Sequence, residues 1–160
     1  MNEGELASRL GLSGRPSAAE TIMIERDLRL VELTGARYHV AQVTCKASVD
    51  VIRRAKQNGL PVTCGVSAPH LTLNENDVAS YRTFMKTSPP LRNADHPLAV
   101  VRGASDGPTH VILSIQQPRE PEPNRLPFAP AAIDAVGREP RRPTTLPESQ
   151  GGTLPPAPHP

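Results

Sequence analysis

The sequence is poor in aromatic residues, with two Tyr, two Phe and no Trp among 160 residues. A core must therefore come from Leu, Val, Ile and Ala, which suits buried parallel strands and covering helices. Cysteine is nearly absent as well. The two thiols, Cys45 and Cys64, form no CxxC motif and no disulfide framework. They are expected to be small buried hydrophobes in a reducing, cytoplasmic compartment. No apolar run approaches the roughly 20 residues of a membrane span. The first residues, Met1 to Glu5, are acidic and unlike a signal peptide. The net charge of +2 is mixed along the chain and leaves no cationic stripe. Neither nucleic acid nor membrane is expected as a partner.

What the chain has in excess is proline, unevenly placed. Twelve of the nineteen prolines lie from Pro118 onward, which excludes regular helix or central strand there. Residues 1–117 are read as the folded domain. Residues 118–160 are read as a Pro-rich, disordered tail that cannot bury enough apolar area to offset its ordering entropy.

Within 1–117 the pattern alternates. A short helix over 3–11 stops at Gly11 and Gly14. Ser17 and Glu20 are spaced as a capping box. They open a helix that places Ile22, Ile24, Leu28, Val31 and Leu33 at mostly helical spacing and ends at Gly35. Residues 38–44 read as a strand and 48–56 as a helix closed by Gly59. Residues 61–66 read as a second strand. Asn74 is placed to cap a short helix reaching Tyr81. Residues 93–102 read as helical and His110 to Ile115 as a third strand. This order implies βαβ units and a parallel sheet.

Parallel α/β sheets carry chemistry at the C-terminal ends of their strands. Those ends are Gln42–Cys45, Cys64–His70 and Ser114–Arg119. His39, within a strand, is read as structural. His70 lies beyond a strand end, but a metal site needs three or more converging ligands. No carboxylate pair occurs on adjacent strand ends, and Asp106 falls on the wrong side of the sheet. The residues by themselves give an incomplete α/β domain without a self-contained catalytic constellation.

Several blocks, in order, resemble dihydroorotase, a member of the amidohydrolase superfamily. Lys86-Thr87-Ser88-Pro89-Pro90-Leu91-Arg92 is similar to the family's K-M-N-P-P-L-R and is the most specific match. Val66-Ser67-Ala68-Pro69-His70-Leu71 resembles its strand followed by T-P-H-H-L. Asn2-Glu3-Gly4, the Ala19-Glu20 and Arg26-Asp27 helix, and Tyr38 to Thr44 resemble further blocks. The resemblance implies a partial (β/α)8 TIM barrel of about three βα units, taken from the C-terminal part of the family's fold. In the family, zinc is held by histidines, a lysine carbamate or carboxylate, and an aspartate that also acts as general base. Its reaction is hydrolysis of the cyclic amide of dihydroorotate to N-carbamoyl-aspartate, in pyrimidine biosynthesis.

The departures from the pattern set the functional expectation. Gln42 stands at a family metal-ligand histidine, and Ile115 at the metal-binding, general-base aspartate. Ser88, Arg119 and Phe128 occupy family substrate-binding positions. No catalytic residue, no metal ligand and no cofactor are therefore expected for this chain, although zinc serves the family. The expectation is a truncated, catalytically inactive homologue resembling the non-catalytic dihydroorotase-like subgroup. The alternative is a structural subunit that binds aspartate carbamoyltransferase. Self-association through strand edges is a further expected partnership.

Overall fold

The computed structural model describes residues 1–97, 99–100, 109–113, 125–131 and 133. Helix α1 spans Glu5–Arg9 and α2 spans Ala18–Thr34; strand β1 is Tyr38–Val40, and α3 is Lys46–Gln57. Strand β2 is Val62–Ser67, α4 is the single turn Pro69–Thr72, and β3 is Thr109–Leu113. Between α4 and β3 lie two 3-10 turns, Glu75–Val78 and Thr83–Met85, and helical residues at 95–97 and 99–100.

The three strands form one parallel sheet in the order β1-β2-β3. Parallel neighbours need a long crossover, and α3 supplies the first one. The sheet is the expected α/β architecture, built from βα units. β1 is shorter than the expected 38–44. Beyond Val40 the ladder continues only through the Val43 amide, which donates to the Gly65 carbonyl at 3.0 Å. A side chain at Gly65 would be crowded: an added Cβ would lie 3.0 Å from the Leu113 side chain and 3.1 Å from the Ala41 carbonyl oxygen. The strands close in tightly there, which holds the 41–44 segment against the end of β2.

Helix α2 ends as its sequence requires. Gly35 takes φ 67°, a left-handed cap that costs glycine little, and its amide donates to the Val31 carbonyl at 2.8 Å. Of the five apolar residues read at mostly helical spacing, Ile24, Leu28 and Val31 are buried, whereas Ile22 and Leu33 are exposed. Ile22, Met23, Leu30 and Leu33 form a second apolar stripe that faces solvent. The core packs α2 and α3 on the sheet through Ile24, Leu28, Val49, Ile52, Ala55, Val40, Val43, Val62 and Val66. Cys45 and Cys64 are buried as expected.

The expected helix from Asn74 to Tyr81 is a 3-10 turn of four residues. Asn74 caps it by accepting from the Asn76 amide at 3.0 Å, and Asp77 returns a bond to the Asn74 amide. Tyr81, at φ 54°, turns the chain away. Residues 98, 101 and 102 of the expected 93–102 helix, and residues 114–115 of the third strand, lie outside the described residues.

Most of the segment assigned to the tail also lies outside the described residues, but 125–131 is placed. It departs from an extended, solvated chain: Phe128 and Ala131 are buried, and Phe128 packs in a second cluster with Val78 and Leu91. Lys86 fastens this turn. Its ammonium donates to the carbonyls of Ala129 at 2.7 Å and Ala131 at 2.6 Å, and lies 5.6 Å from the Phe128 ring centroid. Lys86→Met is expected to cost about 1 kcal/mol and to accelerate hydrogen exchange at the Ala131 amide, which donates to Pro127. Unchanged protection of that amide would contradict the anchoring role.

Candidate functional site

The C-terminal ends of β1 and β2 are joined by two polar networks. The first centres on Glu20. The capping box read from Ser17 and Glu20 does not form: Ser17 makes no side-chain cap. The Glu20 carboxylate turns instead to the β1–α3 connection, where it accepts from the amides of Thr44 at 3.0 Å and Cys45 at 3.3 Å. The Thr44 hydroxyl and the Cys45 thiol also donate to it. These donors outnumber the one amide available at Ser17. They also lie at the N-terminus of α3, where the helix dipole favours a carboxylate.

Arg92, the last residue of the P-P-L-R motif, completes this network. Its guanidinium is buried, 2 % exposed, and lies 3.7 Å from the Glu20 carboxylate. It donates to Thr44 Oγ1 at 3.1 Å, to Asn2 Oδ1 at 3.0 Å and to the Arg15 carbonyl at 2.9 Å. Asn2 passes the chain on to Glu75 at 2.8 Å. One buried side chain thus ties residues 2, 15, 20 and 44 to the motif. Burial opposes ionisation of Glu20, but the hydrogen bonds from Thr44, Cys45 and Ser48 outweigh it and hold the carboxyl below its ordinary range. Burial and the neighbouring Glu20 push the Cys45 thiol upward, so it is a poor nucleophile.

The second network runs through the residue of main interest. Gln42 is half-buried beyond β1, and its Nε2 donates to Ser67 Oγ at 3.1 Å. Ser67, the last residue of β2, contacts His70 Nδ1 at 2.6 Å. His70 Nε2 lies 3.0 Å from the Pro89 carbonyl oxygen. Pro69 opens α4 without needing a free amide hydrogen, and this tight turn brings His70 back under the strand end. Burial lowers the His70 pKa, so the ring is neutral at pH 7. His39 stands apart, exposed on β1 and bonded to Thr63 across the sheet at 2.7 Å.

Ser88 is exposed and accepts from Arg15 Nη1 at 3.1 Å. It adjoins Pro89 and hence the Gln42 network. Phe128 is buried in the second cluster with Val78 and Leu91. Ile115 and Arg119 lie outside the described residues. Glu20 and Thr44 were missed as members of a network because their partners are remote in sequence. A charged residue in the apolar periodicity of α2 was the available signal. Among the described residues no group of three His, Cys, Asp or Glu is placed to hold a metal ion. Gln42, whose carboxamide is a weak zinc ligand, uses its nitrogen on Ser67. The described residues therefore do not fit a zinc ion.

Comparison with known proteins accords with the blocks that carry the resemblance. The family described as Dihydro-orotase-like matches residues 1–48. The dihydroorotase of Anaeromyxobacter dehalogenans is 46% identical over 141 residues, covering 87% of this chain and 33% of the relative. That of Desulfotalea psychrophila is 40% identical over 157 residues, covering 98% of this chain and 37% of the relative. Among solved structures, the L-hydantoinase (dihydropyrimidinase) of Arthrobacter aurescens superposes with a TM-score of 0.75 at 24% identity, over 88% of this chain and 32% of its own. The dihydroorotase of Saccharomyces cerevisiae, in complex with 5-fluoroorotic acid, gives a TM-score of 0.70 at 14% identity, over 82% of this chain and 37% of its own. These two likenesses concern the fold alone. The chain belongs to the dihydroorotase-like amidohydrolases and spans about a third of the length of the relatives it matches.

Proposed function

We propose that the chain is a dihydroorotase-like protein of pyrimidine biosynthesis that, by itself, does not open the dihydroorotate ring. The observation that carries this reading is Gln42. It lies at a strand end, where this architecture keeps its chemistry, and its carboxamide is committed to Ser67. Identity to dihydroorotases over nearly the whole chain supports the family role. In this reading the three βα units are part of a (β/α)8 barrel, residues 1–117 carry them, and the protein is cytoplasmic. Among the described residues no helix is long and apolar enough to cross a membrane.

A second reading is the structural subunit for aspartate carbamoyltransferase. It draws on the exposed stripe of Ile22, Met23, Leu30 and Leu33 on α2, an apolar face suited to a protein partner. Both readings give the same expected result for the purified chain: substoichiometric zinc and no ring opening of dihydroorotate above background. The second adds co-sedimentation with aspartate carbamoyltransferase. One zinc per chain together with measurable turnover would overturn both.

A further inference from the structure

Helix α3 begins without a cap of its own. Its N-cap, Cys45, makes no side-chain cap bond, and its first turn carries no acidic residue. The orphan amides there are met from elsewhere in the chain. Glu20 accepts from those of Thr44 and Cys45, and His96 Nδ1, 50 residues away, accepts from the Lys46 amide at 2.9 Å. An imidazole nitrogen accepts only while it carries no hydrogen, so this bond requires a neutral ring with its hydrogen on Nε2. His96 belongs to a turn in which its own amide donates to the Asn93 carbonyl at 3.2 Å. Two buried residues, Arg92 and Val100, bracket the turn. Its interior is incompletely satisfied: Asn93 Oδ1 is buried with no hydrogen-bond partner among the described residues.

We propose that His96 is a pH-sensitive latch, which holds the 93–97 turn on the N-terminus of α3 while neutral and releases it when protonated. Protonation acts twice at this position. It puts a hydrogen on Nδ1, where the Lys46 amide already points one, and it sets a cation at the positive end of the α3 dipole. The charged groups around the ring are Arg92, which opposes the added charge, and Glu20, Asp95 and Glu75, which favour it. Burial and then Arg92 prevail, so the ring stays neutral to below its ordinary 6.5. The latch is therefore at full strength above 6.5 and weakens as pH falls below it toward the lowered value. Opening admits water to Asn93 Oδ1, which offsets part of the lost contact. Arg92 keeps its bonds to Thr44, Asn2 and the Arg15 carbonyl, so release stops at the turn.

The test is NMR of the full chain at about pH 7.5 and about pH 5, on either side of the ordinary imidazole range. Nitrogen-15 signals of the His96 ring are expected to show hydrogen on Nε2 only at the higher pH. Protection of the Lys46 amide from hydrogen exchange, relative to an unstructured peptide, is expected to fall roughly tenfold at the lower pH, the scale of one lost hydrogen bond. At that pH the Lys46 amide should exchange faster than the amide of Ile52, which is buried within the same helix and opens only with the core. His96→Gln keeps an acceptor oxygen without a titrating proton, and the acid-induced loss at Lys46 should then disappear. Hydrogen on Nδ1 at the higher pH, undiminished protection of Lys46 in acid, protection equal to that of Ile52, or the same loss in His96→Gln would each overturn the latch. Should that variant fail to fold, the ring signals and the comparison of Lys46 with Ile52 in the unaltered chain decide by themselves.

Discussion

Arg92→Leu is expected to cost about 3–5 kcal/mol of folding stability, enough to unfold much of the population of a marginally stable domain. The leucine fills the space of the arginine stem but leaves the Glu20 carboxylate, on a residue 10% exposed, without its buried cation. The same change strands Asn2 Oδ1 and the Arg15 carbonyl, which lose their donors. Removing one member of a buried pair is costlier than removing both, because the survivor keeps its desolvation penalty. The double variant Glu20→Met, Arg92→Leu should therefore recover part of the loss. Urea denaturation of the two single variants and the double gives the coupling. A loss below about 1 kcal/mol for Arg92→Leu would mean that water reaches the network.

Acidification is expected to unfold the chain in two stages. Burial lowers the pKa of His70, and burial followed by the charge of Arg92 lowers that of His96, both from 6.5. His96 Nδ1 accepts from the Lys46 amide at 2.9 Å, a bond that a protonated ring cannot make. The unfolded chain therefore binds these two protons first. Their contribution to stability is complete above 6.5 and is lost as pH falls below it toward their depressed values. Glu20 is held below 4.5, so its contribution is complete above that value and is lost as pH falls through its own lowered pKa. Protonation there leaves Arg92 buried without an anion. The urea midpoint should decline between about pH 7 and pH 5 and then fall steeply in more acid solution. A flat midpoint across the first interval would show that neither imidazole is neutral by necessity of the fold.

The elements and their order were legible because their signals are local. Gly35 and Gly59 adopt positive φ and end helices where the sequence places them. Asn74 caps the turn that follows it. The strands at 38–40, 62–67 and 109–113 pair in parallel in the order expected. The errors share a cause. Ser17 and Glu20 have the spacing of a capping box, but Glu20 finds better donors 24 and 25 residues away, at Thr44 and Cys45. Ile22 and Leu33 have near-helical spacing with the core residues of α2, yet they lie outside the arc that meets α3 and the sheet. Phe128 sits among prolines in a stretch composed like a tail, but Lys86 and the cluster around Val78 and Leu91 hold it.

The sequence by itself determined the family and the alternation of strand and helix. Each depends on residue identity or on spacing within a few turns of chain. Only the tertiary structure decided which way the Gln42 carboxamide faces. That orientation follows from Ser67, 25 residues on, through His70 to Pro89, 19 residues further. It also decided that Glu20 and Arg92, 72 positions apart, share one buried network. Side-chain hydrogen bonds of this kind leave no periodic trace in a sequence, because any polar residue of suitable reach satisfies the spacing. What fixes them is the cost of leaving a buried donor or acceptor without a partner, which applies only once the fold has closed around it.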